Sequence, residues 1–259
     1  MRSGFNLSIV LPMYKPRLGW EKNLKENIDL IDIEFNESIK IEYIVVNDGG
    51  ENEHLLSLFD VIQQAKNNIR FISYKENKGK GYALRTGVSA ATAPIVITTD
   101  LDFPYEVKDI RNVYALLRSG NEIVTGKRKP EYYTATPLRR KLISKACIAM
   151  NRHLLNLSLG DAQSGLKGFN KKGKELFLQT TINRFLVDTE FLVLAEKHQL
   201  GIAVLELNLK AGVKFSSMGW KVLLAEGKNF YRIVKMNKTV QLRIKAREEY
   251  AKPEVVVNV

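Results

Sequence analysis

The sequence predicts an α/β protein with a mainly parallel sheet flanked by helices, and three observations support this class. Short runs of β-branched and other apolar residues alternate with amphipathic segments of helical spacing. Each run ends in a polar or glycine-rich loop, as strands linked by helical crossovers do. A chain of 259 residues, 45% of them hydrophobic, is long enough to form one such unit around a single core.

The predicted elements alternate along the first half of the chain. Strands are predicted at Leu7 to Leu11, Ile41 to Val46, Ile69 to Ser73, Ile95 to Thr99 and Glu122 to Thr125. Pro12 is expected to end the first strand, because proline lacks the amide hydrogen that a strand ladder needs. Helices are predicted at Gly19 to Ile33, Glu53 to Ala65, Ala83 to Ala91, Val107 to Leu117 and Pro137 to Leu157.

The C-terminal part has a different composition from the rest. Trp220 and Tyr231 lie among further apolar residues and beside Lys228 and Arg232, a mixture typical of a helix at a membrane surface. We therefore expect an α/β domain at residues 1–215, a basic amphipathic helical extension at 216–247 and a flexible tail at 248–259.

Two aspartates follow the predicted strand Ile95 to Thr99. Asp100 and Asp102 are two residues apart, so a nearly extended backbone points both side chains the same way. Carboxylates at the carboxyl end of a parallel strand suit Mg²⁺ or Mn²⁺ carrying a diphosphate. The alternative is a polar loop whose aspartates cap the next helix.

Two other strand ends carry chemistry that suits a nucleotide. Asp48 follows the second strand, and Lys78 and Lys80 stand among glycines just before a helix. Backbone amides and lysines at a helix N-terminus can approach phosphate closely, although a flexible loop with solvated lysines would look the same. Because parallel strands end at one edge, these loops and the aspartate pair predict a nucleotide site there.

The formal net charge of +12 predicts an anionic partner, namely a phosphorylated ligand, a membrane surface or a nucleic acid. A single cysteine, Cys147, excludes an internal disulfide and a cysteine-based zinc site. No run approaches the 18 apolar residues that cross a bilayer, so we expect a cytoplasmic protein without a membrane anchor of its own.

The predicted helix Pro137 to Leu157 is rich in cations. Arg140 and Ser144 are four residues apart and share one helix face, where a guanidinium and a hydroxyl could hold one phosphate together. The alternative is a solvated basic face on a core helix.

Taken together, the motifs resemble family 2 glycosyltransferases of the GT-A fold, which is Rossmann-like, and in particular the polyprenyl-phosphate and dolichyl-phosphate sugar synthases. The resemblance covers about Leu7 to Lys214. It rests on the order and spacing of SIVLPMY, VVNDGG, ENKGKGYALRTGV, TTDLD, VTGKR, DAQSGLKGF and RFLVDTE. The stretch DAQSGLKGF, from Asp161 to Phe169, resembles the part that marks enzymes with lipid-phosphate acceptors.

The resemblance implies a role for each matching residue. Asp100 and Asp102 would bind the metal, and they would form the catalytic group with Asp161 and Arg128. The implied donor-binding residues are Pro12, Tyr14, Asp48, Lys80, Asp100 and Gln163. The implied acceptor-phosphate residues are Arg128, Arg140 and Ser144, with Ser164, Asp188 and Glu190 in support. The metal motif lacks the family's usual glutamine, and Glu106 is the candidate for a third ligand.

The resemblance also implies the reaction. It would be the inverting, Mg²⁺- or Mn²⁺-dependent transfer of a sugar, mannose or glucose, from a GDP- or UDP-hexose to a dolichyl or undecaprenyl phosphate. The alternative enzyme would add sugar to a hydroxyl of a surface polysaccharide, with Asp161 as general base. A nucleic-acid-binding module would leave the aspartate pair unexplained, so no nucleic-acid partner is expected. The enzyme would lie peripherally on the cytoplasmic face of an anionic membrane, by its own helices or through a separate membrane subunit.

Overall fold

The computed structural model describes residues 4–36, 38–50, 53–129, 138–157, 164–210 and 220–250. For residues 139, 140, 221 and 239–250 only the backbone is described. Three predicted site residues are affected: Asp161 and Gln163 lie outside the described residues, as does the side chain of Arg140.

A seven-stranded sheet forms the centre of the described structure. Its strands are β1 (Leu7–Met13), β2 (Ile41–Asp48), β3 (Ile69–Tyr74), β4 (Ile95–Thr98), β5 (Ile123–Arg128), β6 (Lys167–Phe169) and β7 (Ile202–Leu207). Their spatial order is β3-β2-β1-β4-β6-β5-β7. Every pairing is parallel except those of β6, which runs antiparallel to both β4 and β5. The predicted α/β class with a mainly parallel sheet is confirmed.

Helices cover both faces of the sheet. They are α1 (Trp20–Glu34), α2 (Glu53–Ala65), α3 (Lys80–Ala90), α4 (Val107–Arg118), α5 (Leu138–Leu155), α6 (Lys171–Phe177), α7 (Val187–Lys197) and α8 (Trp220–Tyr250). The described part of the predicted C-terminal extension begins at Trp220 and lies in the single 31-residue helix α8, which continues past residue 247.

The strands are apolar on both faces because each face has its own core. Ile9 packs in a cluster with residues of α1, α2 and α4, whereas its neighbour Val10 packs in a second cluster with residues of α3, α6, α7 and α8. Alternating side chains of a strand point to opposite faces, so both sides of β1 must be hydrophobic. This double burial explains why the strands read as continuous apolar runs.

Pro12 does not end β1, contrary to the sequence-based expectation. The strand continues to Met13, with Pro12 paired to Val46 of β2. On the other side, β4 pairs with β1 only as far as Val10. Pro12 therefore lies beyond the last residue that β4 pairs, in a part of the strand with a neighbour on one side only.

The antiparallel strand β6 determines which residues meet at the carboxyl edge of the sheet. Its first residue, Lys167, lies opposite Thr98, the last residue of β4, and Thr125, the third of the six residues of β5. The residues just before Lys167 therefore reach the carboxyl edge, where Asp100 follows β4 and Arg128 ends β5. A fully parallel sheet would have carried them to the opposite edge.

Candidate active site

Asp100 lies at the centre of the carboxyl edge. Its Oδ1 is 2.5 Å from the Nζ of Lys80, the first residue of α3. Its Oδ2 lies against the Cα of Gly165, where no room is left for a Cβ atom. Asp100 is thus confined between a cation from one loop and the backbone of another. Its side chain nevertheless remains 38% exposed, which leaves it open to a ligand.

Lys80 is held in its charged form. Burial lowers the pKa of its ammonium, but the charges of Asp100 and Asp188 more than offset this and raise the pKa above its usual value. The Asp188 carboxyl, in the first turn of α7, therefore acts on the same cation as Asp100. The charged Lys80 can bind a diphosphate directly, and the exposed Asp100 carboxylate can bind a metal ion that accompanies the diphosphate.

A second lysine, Lys167, lies beneath this pair. It is fully buried, its Nζ is 3.2 Å from Asp188 Oδ1, and it also donates to the backbone carbonyl of Ser164. Sequence reasoning missed this residue and treated Asp188 as a supporting residue without a partner. The available signal was a lysine between apolar neighbours in the run from Leu166 to Phe169, where a solvated side chain is not expected.

Asp102 lies two residues after Asp100 and is exposed at the surface. Nearby residues still shield its carboxyl partly from water, and this desolvation together with the negative charge of Asp100 raises the pKa of the carboxyl. A nearby cation would relieve this repulsion. Within the described ranges, no cluster of three or more His, Cys, Asp and Glu side chains is arranged to hold a metal. Glu106, the candidate third ligand, therefore does not complete such a cluster with the two aspartates.

The backbone after Asp100 adopts a strained turn. Phe103 has a φ of +43°, its amide donates to the Asp100 carbonyl, and its side chain is buried. Such a φ is unfavourable for a bulky residue and persists only where packing enforces it. The buried ring therefore fixes the path of the chain that carries both aspartates.

Asp48 binds the loop from Asn77 to Lys80, here called the lysine loop. Its buried carboxylate accepts hydrogen bonds from the Tyr74 hydroxyl, the Asn77 amide group and the backbone amides of Lys78 and Gly79, at 2.8–3.0 Å. Gly79 has a φ of +103° and lies against the Asn183 carbonyl, so a side chain there would be strained and would clash. Asp48 thus fixes the approach to α3 and to Lys80.

Pro12 and Tyr14 lie at the end of β1. Tyr14 is 48% exposed just beyond the strand, and the Lys15 ammonium lies 5.4 Å from the centre of its ring. An exposed ring beside the sheet edge offers a flat surface on which a nucleobase can stack.

Arg128 and Ser144 meet, although they are far apart in the sequence. Arg128 is the last residue of β5, and its Nη2 donates to the Oγ of Ser144 on α5 at 3.0 Å. Ser144 is buried on α5, a helix whose Lys145 and Arg152 are exposed. The contact brings a guanidinium and a hydroxyl together, and both can donate to a phosphate.

Glu190 binds the segment that packs against the lysine loop. Its carboxylate accepts hydrogen bonds from Thr181 and from the Ile182 amide, at 2.8–2.9 Å. The next carbonyl, that of Asn183, accepts from the Gly81 amide at 2.8 Å. The segment 180–186 therefore packs directly against the start of α3.

The same segment is tied to the C-terminal helix. Glu226 of α8 accepts hydrogen bonds from the Nε of Arg184 at 3.1 Å and from the Leu186 amide at 3.2 Å. Through segment 180–186, α8 is thus connected to the loop that carries Lys80. The sequence contained no signal for this link, because Glu226 appears there as one of several charges on an amphipathic helix.

One face of α8 is exposed and mixed in character. Its exposed large apolar side chains are Trp220, Leu224 and Tyr231, and its exposed cations are Lys228, Arg232, Lys235 and Lys238. Among the helices of the described ranges, none is long and apolar enough to cross a membrane.

Solved structures share this fold. Glucosyl-3-phosphoglycerate synthase from Mycobacterium tuberculosis, in complex with Mn²⁺, UDP-glucose and phosphoglyceric acid, matches with a TM-score of 0.62 at 17% identity, covering 91% of this chain and 80% of that one. A structure of the same enzyme with Mg²⁺ and UDP matches with a TM-score of 0.60 at 18% identity, covering 91% of this chain and 80% of that one. The predicted GT-A fold is thereby confirmed.

Sequence relatives point to the same family. A dolichyl-phosphate beta-glucosyltransferase of Dictyostelium discoideum is 24% identical over 78% of this chain and 65% of its own length. A dolichyl-phosphate beta-glucosyltransferase of Trichomonas vaginalis is 29% identical over 78% of this chain and 64% of its own length. Glycosyltransferase AglD of Haloferax volcanii is 26% identical over 78% of this chain and 32% of its own length. The chain therefore spans less than two thirds of the length of each of these three relatives. The family model described as glycosyl transferase family 2 matches residues 8–177. The chain therefore belongs to glycosyl transferase family 2.

Proposed function

We propose that this chain is a metal-dependent, inverting hexosyltransferase that moves glucose or mannose from a GDP- or UDP-sugar to a polyprenyl phosphate such as dolichyl or undecaprenyl phosphate. The pairing of Arg128 with Ser144 carries the proposal, because a guanidinium and a hydroxyl that meet at the sheet edge of Asp100 and Lys80 can together bind a phosphate. The dolichyl-phosphate beta-glucosyltransferases among the relatives support the same acceptor and favour glucose.

The donor diphosphate would lie over Asp100, Asp102 and Lys80. Asp100 and Asp102 suit Mg²⁺ or Mn²⁺, since such ions are often held by one or two carboxylates together with phosphate oxygens and water. A clustered third protein ligand is therefore not required. When bound, the ion would withdraw charge from the leaving diphosphate. Lys80, kept charged by Asp100 and Asp188, would add to that stabilisation.

The base and sugar of the donor would lie on either side of the diphosphate. Pro12 and Tyr14 would wall the base, and Asp48 would keep the adjoining loop in place through its hydrogen bonds. Asp161 and Gln163 would line the sugar, because they come three residues and one residue before Ser164 at the sheet edge.

The acceptor phosphate would be bound by Arg128, Ser144 and Arg140. A phosphate monoester has a second pKa of about 6 and is largely dianionic at neutral pH, so it can attack without a general base. Its oxygen would form a bond to the anomeric carbon as the bond from that carbon to the diphosphate breaks, and attack from the opposite side inverts the configuration. The basic side chains would reduce repulsion between the two anions.

The lipid part of the acceptor requires contact with a membrane. The exposed face of α8 combines Trp220 and Tyr231 with a row of cations, which suits the interface of an anionic bilayer. Leu138 and Leu142 add exposed apolar surface on α5, which is joined to α8 by the hydrogen bond of Asn237 to the Leu155 carbonyl. We place the protein peripherally on the cytoplasmic face, with the expected interface extension, from residue 216, reaching Tyr250 at the end of α8 and the tail following it. A separate membrane subunit is the other way to hold it there.

The test is transfer of radiolabelled sugar from a panel of GDP- and UDP-hexoses to polyprenyl phosphate, with Mn²⁺, with Mg²⁺ and with EDTA. We expect label in the organic phase from one donor, and none with EDTA. Asp102→Asn is expected to abolish transfer while leaving folding intact, because the side chain is exposed. Label that appears only on a hydroxyl-bearing glycan would contradict the acceptor and support the alternative, with Asp161 as base. Transfer that survives EDTA would contradict the metal.

A further inference from the structure

We propose that Lys167 is a positioning residue for the donor site. Paired with Asp188 beneath the sheet edge, its ammonium holds the Ser164–Gly165 backbone against the Asp100 carboxylate and keeps Asp188 from competing for Lys80. The inference rests on the proposed function, since it concerns the group that would hold the metal and the donor diphosphate.

The burial of Lys167 calls for an explanation beyond stability. Its side chain is fully enclosed, and Asp188 is also buried. Taking an ammonium and a carboxylate out of water costs free energy that their attraction seldom exceeds, and apolar side chains of similar volume are often as stable. Lys167 lies between Thr98 and Thr125 in the sheet, and the next residues on the same face are Val96 and Ile123, opposite Phe169, so an apolar residue would suit this position.

The backbone contacts of Lys167 show what it can position. Its ammonium donates to the Ser164 carbonyl, and the next residue, Gly165, lies so close to Asp100 Oδ2 that a Cβ atom there would clash with it. The other oxygen of that carboxylate is bound to Lys80. A shift of the 164–165 backbone would therefore move one wall of the space that orients Asp100.

The second effect is electrostatic. Asp188 is paired with Lys167 and also stabilises the charge on Lys80. With Lys167 in place, Asp188 Oδ1 has its own cation, and Lys80 remains with Asp100. Without Lys167, a buried and uncompensated Asp188 would attract Lys80 away from Asp100. Both effects act on the Asp100 carboxylate, and neither involves Arg128 or Ser144, the pair that would bind the acceptor phosphate.

The experiment compares Lys167→Met with the double variant Lys167→Met/Asp188→Asn. The single variant leaves a buried carboxylate unpaired and is expected to lose stability, whereas the double variant removes both charges and is expected to fold. Glu42→Gln is the matched control, because Glu42 is a buried carboxylate at the opposite edge, paired with Arg70. Folding is followed by thermal melting, and Mn²⁺ binding by the EPR signal of the free ion, with UDP or GDP present.

We expect Lys167→Met to bind Mn²⁺ with the nucleotide at least about tenfold more weakly through both effects. The double variant should bind it more weakly than the wild type through the loss of the Ser164 contact alone, while its acceptor KM and the Mn²⁺ affinity of the control stay unchanged. A folded double variant that binds Mn²⁺ and nucleotide like the wild type would overturn the inference and leave the proposed function intact. Wild-type protein that binds no Mn²⁺ with either nucleotide would overturn both.

Discussion

At the scale of single residues, one carboxylate can order a whole loop. Asp48 receives backbone and side-chain hydrogen bonds from four residues between Tyr74 and Gly79. The sequence predicted Asp48 at the end of the second strand, and it is the last residue of β2. Its hydrogen bonds could not be predicted, because they depend on the path of a loop nearly thirty residues further along the chain.

Replacing Asp48 with asparagine tests this role. An amide offers one acceptor oxygen in place of two and points an NH₂ group at backbone amides, so some of these donors lose their partner. We expect a loss of about 1–3 kcal/mol in the free energy of unfolding and a raised donor KM. Chemical denaturation and steady-state kinetics measure both, with the exposed Asp60→Asn as control. Unchanged values for Asp48→Asn would refute the role.

Glu42 predicts how stability depends on pH. Burial raises the pKa of its carboxyl, but hydrogen bonds from Ser8 and Thr92 and the charge of Arg70 outweigh this and lower the pKa below the usual 4.5. Because the pKa is lower in the folded state, the ionised carboxylate stabilises the fold above about pH 4.5, and this contribution is lost as the pH falls through the folded-state pKa.

The measurement compares the wild type with Glu42→Gln. The difference between their free energies of unfolding should be largest near neutral pH and should shrink as the pH falls from about 5 through the lowered folded-state pKa. A difference that stays constant over this range would contradict the assignment.

At the scale of elements, segment 180–186 couples the long helix α8 to the start of α3. Glu226 binds the segment on one side, and the Gly81 amide binds it on the other. We expect Glu226→Gln to raise the donor KM several-fold, because the weakened amide acceptor no longer pairs with the Arg184 guanidinium. Donor titrations measure this, with the exposed Glu175→Gln as control. A donor KM equal to that of the control would show that the link does not reach the donor site.

The first five strands could be predicted because each is an apolar run with β-branched residues before a polar loop. The three-residue strand β6 could not, since Lys167, Gly168 and Phe169 carry no such pattern. Its antiparallel direction follows from its place between β4 and β5, which is a property of the assembled sheet. The pairing of Lys167 with Asp188 depends on that direction and was missed with it.

At the scale of the whole molecule, the exposed face of α8 predicts binding to anionic vesicles. Its cations should each contribute about 1 kcal/mol near an anionic surface. The triple variant Lys228→Gln/Arg232→Gln/Lys235→Gln should therefore lose most of the sedimentation with phosphatidylserine-containing vesicles, and salt should weaken wild-type binding. Neutral phosphatidylcholine vesicles are the control. Binding of the triple variant at wild-type strength would show that this face does not meet the membrane.

The most direct test of the account is the acceptor kinetics of Arg128→Ala, measured with a short-chain polyprenyl phosphate and the preferred donor. The variant loses the guanidinium that contacts Ser144 at the end of β5, while Asp100, Lys80 and the loop held by Asp48 are left in place. We predict that the KM for polyprenyl phosphate rises at least about tenfold and that the donor KM stays the same, as expected when a charge-assisted contact to one substrate is removed. A raised donor KM with an unchanged acceptor KM would contradict the claim that Arg128 and Ser144 receive the lipid phosphate.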